Sequence, residues 1–572
     1  MGKCVFCGRK VSKGIICEIC KSSLCENCYS NPARGYCAIC GRIICDECGV
    51  MIGYARVCNQ CLSKYPEIRT YDDLKRFQLK KLQQAMKEKN HLKEVFTIQR
   101  ENIRPERDIF LRIGIDDTDT PYGLCTTYLG ALIALELSKI KSIEFIDYPY
   151  LVRLNPNIPW KTRGNASVSL YIKTRGEILE ELKERILKVV EENLVSGFKK
   201  TQPAIVFYYS NSLKIPKELK TIYQKALRDV ITVEEALEYV KKISNGVIEI
   251  WAEEHWARGI IGALAATGAF FNDYTFELLV YRKRKRWGSK RFVEKNSVEI
   301  MDRLLGCLTF DNIEKKRLLI TPMGPDPVLL GIRGDVAEAL LLGFNILEHE
   351  DFDFWCIYKT NQGTNAHVIP VDELCVARLY WTIKVSLQVE EVLKEGNKVI
   401  VKASDGISKA IINFYAPTGM LKVVAEKLLK GDWIKITGAV IGREKDYIVL
   451  NAEELTIERL VPEETYKNPF CPKCGNRLKS KGKGAFYCIK CGFRVDNKRK
   501  IIILGDRKLD ENKRILPPPS AHRHFTMPNT RQHFAIFKER GLFPNYIVYP
   551  FCGYQKVPLS QLKKIRIPWD IT

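Results

Sequence analysis

No apolar run in these 572 residues reaches the ~18 that a membrane-spanning helix needs. The opening stretch MGKCVFCGRK does not read as a secretory signal, so a soluble, cytoplasmic protein with no membrane partner is expected. Acidic residues are in short supply: 91 Lys and Arg stand against 67 Asp and Glu, a net charge of +24. A thermophile-style charged surface is normally balanced in sign. An excess this large points to a polyanionic partner, nucleic acid before membrane, because many phosphates can be neutralised at once. The length excludes a single hydrophobic core, and roughly four domains are expected.

Cysteine, by contrast, is abundant. Sixteen of the 21 cysteines fall in C-x-x-C pairs, which in a cytosolic chain indicates zinc rather than disulfides. Residues 1–62 hold six pairs: Cys4/Cys7, Cys17/Cys20, Cys25/Cys28, Cys37/Cys40, Cys45/Cys48 and Cys58/Cys61. Each pair is a two-thiolate knuckle, and tetrahedral Zn²⁺ needs two knuckles. Three closed structural sites are therefore expected, with redox-active pairs as the alternative. Gaps of only four residues between successive pairs suggest interleaved, cross-braced pairing. A module so small has little core without metal, so its folding should depend on zinc. Cys471/Cys474 and Cys488/Cys491, thirteen residues apart, make a zinc ribbon at 465–500.

Four other segments follow from composition and periodicity. The stretch TYDDLKRFQLKKLQQAMKEKNHLKEVF is charged, free of Gly and Pro, and reads as a helical linker within 63–107. A large α+β body is expected from about 108 to 375. Residues 378–460 contain five strand-like runs with one helical stretch before the fourth, the order of an OB-fold β-barrel and a frequent nucleic-acid platform. Residues 501–572 read as a basic tail, with PPPSAHRHF an irregular, proline-stiffened segment.

Chemistry concentrates in the body. GIDDTDTPYGLCTTYLG, residues 114–130, places Asp116, Asp117 and Asp119 where a period-2 strand ends, and Thr126 and Thr127 where a helix begins. Three close carboxylates repel one another unless a cation holds them, and hard oxygen ligands suit Mg²⁺. A helix cap with an Asx-turn is the alternative. RLNPNIPWKTRGNASVSL gathers Arg153, Asn155, Lys161, Thr162, Arg163 and Asn165 in a loop ahead of a strand: a substrate pocket, or an ordinary surface loop. GPDPVLLGIRGD, residues 324–335, matches no Walker motif, yet Gly324, Asp326, Arg333 and Gly334 are candidates for cradling phosphate. YRKRKRWGSKR carries Arg282, Lys283, Arg284, Lys285 and Arg286 beside Tyr281 and Trp287. That mixture suits tRNA phosphates and base stacking, or a strand edge protected by charge.

Taken together, GIDDTDTPYGLCTTYLG, RLNPNIPWKTRGN, ARGIIGALAATGA, GPDPVLLGIRGD and KTNQGTNAH, in this order ahead of an OB-like region and a zinc ribbon, resemble the archaeal tRNA-Ile 2-agmatinylcytidine synthetases over about 108–525. The resemblance implies an ATP-dependent ligase that joins agmatine to C2 of the wobble cytidine of tRNA-Ile (anticodon CAU), so that AUA is decoded. ATP would be cleaved to AMP and two phosphates, with Mg²⁺ and Zn²⁺ as cofactors. It implies a kinase-like domain at 108–140 and 246–375, with a ferredoxin-like domain inserted at 141–245. Asp116, Asp117 and Asp119 match the family's metal-binding aspartates. Thr126 matches the threonine that the kinase-like domain phosphorylates on itself, and Thr127, Gly324, Asp326, Arg333 and Gly334 fall around the nucleotide. The twelve-cysteine head is a departure on which the resemblance is silent; it is expected to bind tRNA, or else a protein. Two rival readings stay open: a non-catalytic zinc-rich nucleic-acid-binding protein, and a related tRNA-modifying enzyme with another amine or target.

Overall fold

A computed structural model of the chain describes residues 17, 19–20, 35–45, 47–53, 55–85, 92–120, 123–161, 164–194, 201–324, 327–482, 484–496, 499–505, 507–532 and 547–562. The protein is a mixed α+β multidomain chain carrying four-cysteine clusters. No described helix is long and apolar enough to cross a membrane. In the body, β1 (Lys93–Gln99), β2 (Asp108–Asp116), α1 (Thr126–Ser138), β3 (Tyr150–Arg153), β4 (Ala166–Arg175) and α2 (Leu179–Asn193) come first. They are followed by β5 (Ala204–Ser210), α3 (Lys217–Arg228), β6 (Val247–Ala252), α4 (Gly259–Thr267), β7 (Thr275–Arg282), β8 (Val328–Gly334), α5 (Ala337–Ile346) and β9 (Phe352–Thr360).

Among the described residues twelve strands join one sheet; nine of them follow the spatial order β8-β7-β9-β3-β4-β2-β5-β6-β1, with Thr309–Phe310 paired beyond β8, Glu144–Phe145 on β4 and Cys552–Gly553 on β9. Neighbours are antiparallel except β9 and β3, which run parallel. The central strands are near-continuous apolar runs because both faces are covered. On β5, Ile205, Phe207 and Tyr209 enter the core beneath α1 and α2, whereas Ala204, Val206 and Tyr208 enter the core beneath α3 and α4. That split is the strand's period-2 alternation made structural.

Two glycines let α4 lie unusually close to β2. A Cβ at Gly114 would stand 2.1 Å from the Ala263 carbonyl oxygen, and one at Gly262 only 1.9 Å from Asp116 Oδ2. Either methyl group would push the helix off the strand's last residues.

Several expected boundaries change. The segment expected as an insert, 141–245, shares a sheet with the strand that precedes it: β2 is hydrogen-bonded between β4 and β5. A separate domain would not place the chain's first motif strand at the centre of its own sheet. The charged linker is helical only over Tyr71–Ala85 as described, and Lys93–Gln99 is β1, paired with β6. Hydrogen-bonding edge strands tolerate that much charge because one face meets solvent. The expected tail returns to the body: Cys552–Gly553 pairs with β9, and Trp355 Nε1 donates to the Gln555 carbonyl.

In the head, Cys17, Cys20, Cys45 and Cys48 converge, as do Cys37, Cys40, Cys58 and Cys61. The pairs interleave, which is the cross-braced arrangement expected from the short gaps. Cys4, Cys7, Cys25 and Cys28 lie outside the described residues. After the body, five strands, β10 (Thr382–Glu395), β11 (Lys398–Ser404), β12 (Lys409–Tyr415), β13 (Trp433–Glu444) and β14 (Tyr447–Arg459), close into a barrel through β10–β13 pairing. A short helix, Met420–Ala425, precedes the fourth strand. Cys471, Cys474, Cys488 and Cys491 then converge in the ribbon.

The returning segment is fastened by Arg531, whose side chain is 1% exposed. It makes a bidentate pair with Asp273 at 2.8 and 2.9 Å and a second pair with Asp335 at 3.1 Å. Arg531→Met should destabilise the body by ~3–5 kcal/mol, because it removes the buried guanidinium that pairs with both Asp273 and Asp335. Chemical denaturation of the two proteins side by side measures that loss.

Candidate active site

At the carboxyl end of β2 the chain turns sharply, and Asp117 takes a left-handed φ of 52°, a conformation that aspartate tolerates better than most residues. Its Oδ2 accepts from Gln202 N–H at 3.2 Å and from Arg258 at 3.3 Å. Arg258 sits at the start of α4, so the close approach of that helix to β2 delivers the guanidinium. Asp116 is partly buried, close to Gly262. Burial, then the neighbouring Asp117 and Asp119 charges, hold its carboxyl well above the ordinary range. Burial raises Asp117 to about 6 despite Arg258.

Asp119 has a different job. Its Oδ1 accepts from Thr126 N–H at 2.7 Å and from the Thr126 hydroxyl at 3.0 Å. The N-cap of α1 is Cys125, which makes no side-chain cap, so Asp119 serves the first N–H of the helix from outside it and holds the very hydroxyl singled out by the sequence. Thr118 Oγ1 donates to Thr126 Oγ1 at 3.1 Å.

These groups open into a cavity of about 640 Å³ that Thr127, Arg153, Lys161, Asn165, Arg333 and His524 also line. Glu277 is buried at the cavity's edge between two cations: Arg333 Nε donates to its Oε1 at 3.0 Å and Arg153 Nη2 to its Oε2 at 3.4 Å. Burial opposes the Glu277 charge, but the two guanidiniums outweigh it and lower its pKa. The result is a fixed pair of cations facing the cavity. His524 is driven well below the ordinary histidine range by Arg153 first, then by burial, so it is a neutral imidazole there. Lys161 Nζ donates to the Ile158 carbonyl at 3.0 Å, and burial, with Arg523 nearby, lowers its pKa to about 8.

Asp116, Asp117, Asp119, Thr126, Thr127, Lys161, Asn165 and Arg333 thus meet in one cavity. Other sequence candidates do not. Asn155 is buried, donating to the Asp229 and Tyr380 carbonyls. Gly334 belongs to β8, where a Cβ would stand 2.3 Å from the Leu308 carbonyl oxygen. Most of the expected glycine-rich cradle is strand, not loop. The Gly324 carbonyl accepts from Arg291 at 3.0 Å. Thr162, Arg163 and Asp326 lie outside the described residues.

Within the basic run, Arg282 and Trp287 are structural. Arg282 is buried on Glu350 at 2.7 Å, and Trp287 donates its indole N–H to the Arg282 carbonyl. Trp287 packs edge-on to Tyr128, which rules it out as a base-stacking platform. Lys283 is half-exposed, and Arg284, Lys285 and Arg286 are exposed.

Sequence reasoning missed Arg258, Glu277 and His524 as site residues. Glu277 had a signal, a lone carboxylate in the apolar run of β7. Arg258 lay inside a quoted motif, and nothing local marked His524.

Three family models match the chain in succession: the TiaS TCKD domain at 112–251, the TiaS FLD domain at 257–367 and the TiaS C-terminal zinc ribbon domain at 468–509. TiaS of Pyrococcus horikoshii, a 2-agmatinylcytidine synthetase for an isoleucine tRNA, is 38% identical over 425 residues, 73% of this chain and 97% of the relative. The chain belongs to the TiaS family. The Methanocaldococcus jannaschii TiaS is 37% identical over 73% of this chain and 98% of its own length. Among solved structures, an apo TiaS aligns with a TM-score of 0.65 at 34% identity, covering 74% of this chain and 98% of that one. A complex of TiaS with its isoleucine tRNA, AMPCPP and agmatine aligns at 0.63 and 31% identity over the same shares.

An anionic ligand in this cavity should raise the pKa of Lys161 by pairing with its ammonium. Affinity for a nucleoside triphosphate should therefore fall as pH rises through about 8, where the free protein's Lys161 loses its proton. Binding above that pH should take up a proton, and Lys161→Met should abolish the uptake. Calorimetry in two buffers of different ionisation enthalpy measures both effects.

Proposed function

We propose that this TiaS-family chain is an ATP-dependent tRNA-modifying ligase that conjugates agmatine to C2 of the wobble cytidine of tRNA-Ile, enabling AUA decoding. The observation that carries the proposal is the convergence of Asp116, Asp117, Asp119, Thr126, Arg153 and Arg333 in one cavity, in a chain that spans nearly the whole length of its TiaS relatives.

The carbonyl oxygen on cytosine C2 is a poor leaving group. Phosphoryl transfer to that oxygen makes it a good one, and agmatine's amine then displaces it. Charge develops on phosphoryl oxygens during the transfer, and preorganised cations stabilise it without reorganising. Arg153 and Arg333 supply that preorganisation, because Glu277 holds both guanidiniums in place before any ligand arrives.

The donor set at the turn suits Mg²⁺. It offers hard carboxylate oxygens, and burial first, then the neighbouring Asp117 and Asp119 charges, raise the pKa of Asp116, a penalty on the carboxylate that a cation would offset. Asp116 and Asp117 would hold the ion, with Asp119 beside them; bound there, it would supply charge neutralisation on ATP phosphates. Asp119 Oδ1 also lies where it can accept the Thr126 proton as that hydroxyl becomes a phosphate acceptor.

The kinase-like assignment goes to the segment that carries these residues, the ferredoxin-like assignment to the segment matched at 257–367, and the OB-fold assignment to the barrel of β10–β14. The exposed cations Lys283, Arg284, Lys285 and Arg286 are proposed to meet tRNA phosphates. A non-catalytic nucleic-acid-binding protein would have no use for three clustered aspartates that share a cavity with two fixed arginines.

Nucleoside analysis of tRNA-Ile incubated with the chain, ATP and labelled agmatine should show one labelled cytidine derivative. Its absence would overturn the reading. Asp117→Asn should abolish both ATP cleavage and labelling while leaving the fold intact, a loss of at least about 100-fold in turnover, since several kcal/mol of charge stabilisation disappear.

Thr126→Val tests self-phosphorylation separately. Valine keeps the side chain's shape but offers no acceptor, so intact-mass measurement should find no added phosphate while tRNA binding persists. Phosphate still present on the variant would move the acceptor elsewhere.

A further inference from the structure

The head is not tethered at arm's length. Its strand Ile43–Ile44 lies between Cys40 of one thiolate cluster and Cys45 of the other, and the strand's alternation divides the two isoleucines. Ile44 points inward to the head's own core, beside Cys37, Cys45 and Cys58. Ile43 points outward and is buried in a separate cluster with Leu379 and Tyr380, packed by Ile158, Trp160 and Val230 of the body. The last three line the catalytic cavity. A zinc-organised strand therefore presses on the back of three cavity-wall residues.

A second attachment reaches the same cavity by another route. Tyr71, at the start of the helix that follows the head, donates its hydroxyl to the Met323 carbonyl at 3.3 Å. Met323 adjoins Pro322, which lines the cavity. Further along that helix, Gln78 donates back to the Ala38 carbonyl of the head at 3.2 Å, and Phe77 packs in both the head core and the body core. Head and helix are thus one unit, touching two stretches of chain that form the cavity wall.

We propose that the zinc-bound head is a built-in support of the catalytic cavity, in which Ile43 acts as a positioning residue that holds Trp160 and Ile158 in the shape the substrates bind. Zinc dictates where Ile43 stands because cysteines of both clusters flank its strand. Loss of metal from the head would release the wall without touching any group that meets phosphate. The head's chemistry fits the role: Ile43 meets this wall as an aliphatic side chain in an apolar cluster, which constrains shape and adds no charge to the site.

The support rests on the reading of this cavity as the reaction site, and the two can fail separately. No turnover by the unaltered chain overturns that reading, whereas the support is judged on variants of an active chain. Full-length Ile43→Asp, Ile43→Leu, Leu379→Ala and the double variant Ile43→Asp/Leu379→Ala should be compared for zinc content and for kcat and KM toward ATP, agmatine and tRNA-Ile. Expected are a fivefold or greater rise in at least one KM for Ile43→Asp, kcat within about twofold, and near-normal constants for Ile43→Leu. Leu379→Ala, which leaves the head's sequence untouched, should raise the same KM, and the double variant should raise it no further than Ile43→Asp alone.

Unchanged KM values in Ile43→Asp at full zinc content overturn the proposal. If that variant loses zinc, Leu379→Ala decides: an unchanged KM there overturns the support just as surely. A rise confined to tRNA-Ile that multiplies in the double variant also overturns it, because the head would then be an independent tRNA contact.

Discussion

Two guanidiniums facing one cavity repel each other, and the site exists because Glu277 stands between them. Its carboxylate comes from within β7, a strand that is buried along its length. Arg153 arrives from the end of β3 and Arg333 from β8. These strands are not neighbours: β9 lies between β3 and β7. One buried carboxylate therefore joins three strands across the sheet and fixes the spacing of the cations. Desolvation makes such an arrangement costly unless every charge is matched. Gln362 helps by accepting from Arg153 Nε at 3.0 Å.

The aspartates in the same cavity follow a different rule. There, like charges crowd at the end of β2, and backbone geometry rather than pairing brings them together. Gly114 and Gly262 permit the helix–strand approach that brings α4 against Asp116. The left-handed turn at Asp117 aims its carboxylate at Arg258 instead of at Asp116. Asp119 is committed to the first turn of α1. The three aspartates read as one cluster in the sequence, but each is held by a different element.

Much of this was legible beforehand. The strand-then-helix reading around the aspartates followed from period-2 and helical spacing, and it located α1 and the end of β2 to within a residue. Knuckle gaps pointed to interleaved zinc pairing, which depends on chain length between thiolates and little else. Readings failed where a residue's role is set by distant partners. Arg282 and Trp287 looked like a nucleic-acid surface because neighbours in sequence are basic, yet Glu350 and Tyr128, remote along the chain, bury them. Gly334 looked like part of a phosphate loop, although its small size serves packing against Leu308. His524 was invisible because the segment that carries it looked like a tail, and no local pattern encodes a long return.

That return bears on the order in which the chain becomes competent during synthesis. The strands that carry the aspartates and both arginines leave the ribosome early. The cavity they form still lacks His524, and its sheet still lacks Cys552–Gly553 on β9. Asp273 and Asp335 wait without their guanidinium until Arg531 is translated. A nascent chain holding every residue of the aspartate motif thus still lacks the guanidinium that Asp273 and Asp335 share and the imidazole that completes the cavity lining.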